Sequence, residues 1–126
     1  MFLGHRLMNL GSEDAKPDVA EAMAGLRSRF IDSLVDRILH MEDLTSELRR
    51  TGDYTTALYG ISASAHRIAG VAGTLGFGAL GSNARKLEEA ITDGLAQYEP
   101  RETFLRTRTQ LEALLDSLEA VLETAP

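Results

Sequence analysis

His66 is the residue whose setting points to chemistry. It lies within "SAHRIAGVAGTLGFGALG", residues 64–81, where apolar residues recur at helical spacing yet glycines stand at Gly70 and Gly73. A glycine in a helix interior costs about 1 kcal/mol relative to alanine, so two of them beside one imidazole need a reason. On a helical wheel of about 100° per residue the apolar stripe centres near Ile61, and His66 falls roughly 130° away, facing solvent. Its neighbours three and four residues off are Ser62, Ala63, Ala69 and Gly70, with Gly73 a turn further on. All are small, and only Tyr59, two turns earlier, adds bulk on that side. An imidazole on a stripped patch of helix suits a nucleophile that something large must approach. A lone exposed histidine is ordinarily a surface residue, and small residues often mark helix packing. These ones face away from the core stripe, where packing inside the molecule has no use for them.

Other chemistry finds little footing. His40 falls among charges on the outer side of the first long helix, and His5 lies near the start of the chain; both read as surface residues. Cysteine is absent, which excludes thiolate catalysis and disulfides. A metal site in a helical bundle would use Glu-x-x-His pairs, and a zinc site would use cysteines or paired histidines; the chain has neither. No phosphate-cradling glycine loop or kinase nucleotide box occurs, so no ATP chemistry, metal or cofactor of its own is expected.

The elements that must hold His66 are helices. Prolines stand only at positions 17, 100 and 126, leaving residues 18–99 free of them, as long helices require. The first amphipathic stretch, Asp18 to Arg50, carries Phe30, Ile31, Leu34, Val35, Ile38, Met41 and Leu48 along one side, and its early part around Gly25 could form a separate short helix. "RTGDY" supplies a stop and a restart: Gly52 suits a left-handed cap and Asp53 the N-cap of the next helix. Tyr54 to Leu75 presents Leu58, Ile61, Ala65, Ile68, Ala72 and Leu75. "GFG", residues 76–78, makes a tight turn into a third helix, Ala79 to Gln97, with Leu80, Ala84, Leu87, Ile91 and Leu95 inward. Pro100 opens a fourth, which presents Phe104, Leu111, Leu114, Leu115, Leu118, Val121 and Leu122. Short connections force antiparallel neighbours, so the fold class is all-α, an up-down-up-down four-helix bundle over residues 18–126 behind an arm of residues 1–17.

Composition narrows the partners. The 126 residues suit one domain, and a net charge of -6 argues against nucleic acid or an anionic membrane surface. No apolar run reaches the length of a membrane span, and residues 1–14 are too broken by His5, Arg6 and Asn9 to be a secretion signal. A cytoplasmic monomer is the expectation.

At this point "AHRIAGVAGTLGFGAL", with an apolar helix before it and "KLEEA" after, resembles the histidine-containing phosphotransfer (HPt) domains of bacterial phosphorelays. His66, Ile68, Gly70, Ala72, Gly73, Leu75 and Gly76 occupy the places of that family's pattern, and the likeness spans roughly residues 26–96. The resemblance implies that His66 accepts a phosphoryl group from an aspartyl phosphate of a receiver domain, or from a sensor histidine kinase, and passes it to another receiver. Such a domain is a phosphocarrier and not an enzyme; the receiver brings the acidic pocket and Mg²⁺. Ser62, Ala63, Ala69, Gly70 and Gly73 would then be the surface that the receiver meets. The family often carries lysine three residues after the histidine, where this chain has Ala69, so Arg67 and Lys86 become the candidates for phosphoryl charge stabilisation. The resemblance also suggests that Glu88 hydrogen-bonds one imidazole nitrogen and leaves the other nucleophilic. The alternative is a helical interaction module that binds a receiver or kinase without carrying phosphate.

Overall fold

The computed structural model describes residues 18–125. The arm of residues 1–17, His5 included, lies outside them. Residues 18–32 (α1) and Leu34–Thr51 (α2) are followed by Tyr54–Thr74 (α3), Gly78–Gln97 (α4) and Pro100–Thr124 (α5), with no strand among the described residues. The stretch around Gly25 is a helix of its own, as the sequence suggests, and the interruption that divides it from α2 falls at Ser33. The Ser33 hydroxyl donates to the Phe30 carbonyl at 2.6 Å, and the Ser33 amide divides itself between Arg29 and Phe30. A serine bonding back to the preceding turn competes with the helical ladder.

The joints follow the local chemistry. Gly52 adopts φ 71° and its amide closes α2 on the Leu48 carbonyl at 2.7 Å. Asp53 then caps α3, accepting from the Thr56 amide at 3.0 Å and the Thr56 hydroxyl at 2.6 Å. Those two donors hold the Asp53 carboxyl below its usual range, the hydroxyl first and the amide second. After α3, Gly76 takes φ 87°, with Phe77 bonding back to Ala72 and Gly76 to Gly73. This paired closure needs a left-handed residue after the helix, which favours glycine there. Pro100 occupies the first turn of α5.

The α3 stripe forms the centre of the core: Leu58, Ile61, Ala65, Ile68, Ala72 and Leu75 are all buried. They meet Phe30 from α1, Leu34 and Met41 from α2, Leu80, Ala84, Leu87 and Ile91 from α4, and Leu111, Leu114 and Leu118 from α5. Packing is most extensive between α3 and α4, whereas α2 and α5 meet more sparsely. Val35 departs from the expected stripe: it is 51% exposed, because α2 touches the bundle along a narrower line than its apolar residues suggest. Thr103 and Thr107 of α5 are buried. Thr103 faces Gly94, where a Cβ would stand 2.6 Å from Thr103 Cγ2, so α4 and α5 cross at a glycine.

Candidate functional site

Helices α3 and α4 fold back about the Gly76–Gly78 turn, and His66 and Glu88 stand eleven residues either side of Phe77. Equal distance from a tight turn brings two antiparallel helical residues level. The structure joins them: His66 Nδ1 lies 2.7 Å from Glu88 Oε2. The imidazole is 73% exposed while the Glu88 side chain is 30% exposed. A carboxylate at that distance favours the proton on Nδ1 and leaves Nε2, with its lone pair, on the solvent side. The arrangement is thus a tethered, exposed imidazole with one nitrogen free to react.

The small residues around it divide in two. Ala63, Gly70 and Gly73 are exposed, and a Cβ at Gly70 or Gly73 would meet nothing within 4 Å. Gly70 therefore has no neighbouring helix to accommodate. Ser62 is half-buried, and Ala69 is half-buried against the core, so Ala69 turns partly inward where the sequence places it wholly on the open patch. Gly73 has a second use, because its backbone nitrogen stands 3.4 Å from where Gly81 would carry a Cβ, at the close approach of α3 and α4. Tyr59, exposed, borders the patch.

The charged candidates separate similarly. Arg67, next to His66, is exposed and lies close enough to α2 for its charge to act on Arg37. Lys86 precedes Glu88 by two residues, about 200° round the helix, so it cannot share the Glu88 flank. It lies on the side where Asn83 donates to Ser117 of α5. Arg85, one turn before Glu88 and exposed, is the α4 cation on the His66 side; its spacing of three from Glu88 was the available signal. Arg37 of α2 is the other cation that the sequence pattern does not reveal. Burial first, and the Arg67 charge second, hold it below the usual guanidinium range. No cluster of three or more metal-ligating side chains occurs among the described residues, and no helix there is long and apolar enough to cross a membrane.

His66 thus stands exposed in mid-α3, with Glu88 of α4 at one of its ring nitrogens. The Hpt domain model matches residues 25–123. The chain belongs to the Hpt domain family. Neither a curated protein nor a solved structure matches it. Hpt domains are phosphocarrier modules, and membership implies histidine phosphotransfer in a phosphorelay. The match runs from Gly25 within α1 to Glu123, one residue short of the end of α5.

Proposed function

We propose that His66 is the phosphoryl acceptor of this Hpt domain, taking the group from a receiver aspartate or a kinase and handing it to another receiver. The observation that carries this is the 2.7 Å contact between Nδ1 of an exposed His66 and Glu88. Nε2 attacks the phosphorus of an aspartyl phosphate; the P–N bond forms as the P–O bond breaks, and the aspartate leaves as a carboxylate. The proton on Nδ1 remains facing Glu88, whose negative charge balances the imidazolium that phosphorylation creates. The reverse step regenerates a neutral imidazole.

Catalysis in such an exchange is mostly positioning and charge stabilisation. This chain contributes the oriented nucleophile and the open approach over Ala63 and Gly70, and Arg67 and Arg85 are the cations proposed to stabilise the phosphoryl charge. The receiver contributes the aspartate, its acidic pocket and Mg²⁺. The test is uptake of acid-labile, base-stable phosphate by the chain from phosphorylated receivers. His66→Gln is expected to abolish uptake while leaving the helical circular dichroism and melting temperature unchanged. Uptake that survives His66→Gln, or that is lost in His40→Gln, overturns the assignment. A wild-type chain that binds a receiver and never carries phosphate would leave the interaction-module reading in its place.

A further inference from the structure

Helix α5 carries no part of the His66 site, yet its outer side is patterned. Along the side next to α2 run Arg101, Leu105, Arg108, Glu112, Leu115 and Glu119. Alternate steps of four and three residues keep all six on one line of the helix. Leu115 is half-buried and the other five are exposed. The order is symmetric about Gln110 with the charges inverted: Arg101 is mirrored by Glu119, Arg108 by Glu112 and Leu105 by Leu115. A line of this kind is complementary to itself when two copies lie antiparallel.

The neighbouring helix leaves room for such a copy. Where α2 and α5 meet sparsely, a trough opens between Thr45, Ser46 and Arg49 of α2 and Phe104, Arg108 and Leu115 of α5. Leu39 lies two turns before Ser46 on the same side of α2, with Val35 one turn earlier, so the two extend the trough's wall. Leu39 is 52% and Leu105 48% exposed, apolar side chains left in water on this one face. Arg101 and Glu119 have no ion-pair partner among the described residues. Arg108 and Glu112 stand 3.8 Å apart, both well exposed. Exposed pairs contribute about 0–1 kcal/mol, so exchanging this one for pairs between two copies costs little.

We infer that this face binds a second copy of the chain, the two α5 helices lying antiparallel about a twofold axis at Gln110. Each contact then occurs twice, as an isologous interface requires. Arg101 meets Glu119 of the other copy, Arg108 meets Glu112, and Leu105 packs on Leu115 beside Leu39. A second copy is the occupant because both halves of the complement stand on one helix. At about 1.5 Å per residue the line is about 27 Å long, and two helices make the face about 20 Å wide, so pairing covers roughly 1,000 Å² in all. That is the lower end for a specific interface, and the dimer is accordingly reversible, with a micromolar dissociation constant. It departs from the monomer expected of the sequence. Both imidazoles, held on α3 and α4, stay open in it.

Sedimentation equilibrium of the full chain from about 1 to about 300 µM tests this. The wild type should show a monomer–dimer equilibrium that weakens as salt rises. Arg101→Glu and Glu119→Arg each place like charges opposite one another and should raise the dissociation constant at least about tenfold. The double exchange Arg101→Glu with Glu119→Arg restores opposite charges and should return it to within about threefold of the wild type. Mixing the two single variants should likewise give a heterodimer, since both of its charge pairs are then matched. Both positions are exposed, so circular dichroism and melting of the dilute monomer should not change. A wild type that remains monomeric throughout overturns the inference. So does a dimer unaffected by either single variant, which would assign the contact to another face, or a double exchange that fails to restore it. His66→Gln should dimerise as the wild type does, so the dimer and the phosphoryl-acceptor reading stand or fall separately.

Discussion

Replacing Gly70 separates a glycine kept for a partner from one kept for packing. A Cβ at this position meets nothing within 4 Å, and the helix continues on both sides of it. Gly70→Ala therefore removes backbone entropy from the unfolded chain without overpacking anything, and should stabilise by up to about 1 kcal/mol. With an unfolding entropy of about 2.1 cal/mol/K per residue over 126 residues, that is a rise of about 4 °C in melting temperature. Gly70→Gln keeps most of the helix-propensity gain and should melt no lower than the parent. Its side chain, however, projects one turn from His66 across the face that a receiver must cover. Holding that partner off by even about 1.4 kcal/mol slows transfer about tenfold. Thermal denaturation and the receiver-to-His66 transfer rate, measured on the same preparations, give the two readouts. A lower melting temperature for both variants, with transfer per folded molecule unchanged, would refute the argument and mean that the surface is an internal one.

Further outcomes follow from the same geometry. Glu88→Ala should release the Nδ1 proton, so imidazole ¹⁵N shifts move toward a tautomer mixture and phosphoryl uptake falls about tenfold, the effect of about 1.5 kcal/mol from one charged hydrogen bond; identical ¹⁵N spectra would remove Glu88 from the mechanism. Gly94→Ala should destabilise by about 1–3 kcal/mol because the new methyl strikes Thr103 Cγ2, and adding Thr103→Ser should recover part of it. The Asp53 carboxyl is held low by Thr56, so the cap's contribution is complete above the unfolded carboxylate's range and disappears as pH falls through the lower folded value. Asp53→Asn should accordingly lose less melting temperature than wild type between pH 6 and about pH 3; parallel acid melting curves would discard the cap's titration.

Much of the molecule follows from local rules that the chain states outright. The α3 stripe from Leu58 to Leu75 is buried at every expected position, because 3.6-residue periodicity leaves a helix only one apolar face to hide. Gly52, Asp53 and Gly76 act where they stand, since left-handed backbone and helix capping depend on single residues and their nearest neighbours. Even the pairing of His66 with Glu88 is legible, as two positions equidistant from a short turn between antiparallel helices. The rest depends on which helix meets which, and at what angle. Val35 looks apolar enough for the core and is left in water because α2 makes only a narrow contact. Ala69 and Lys86 take sides set by the placement of α4 between α3 and α5. Thr103 is buried because Gly94 lets α5 approach, and nothing in either residue alone announces the other. Arg37 comes near Arg67 and Gly70 only after α2 folds against α3. Residues that converge from distant stretches carry no shared periodicity, so their meeting is decided by packing and by nothing shorter in range.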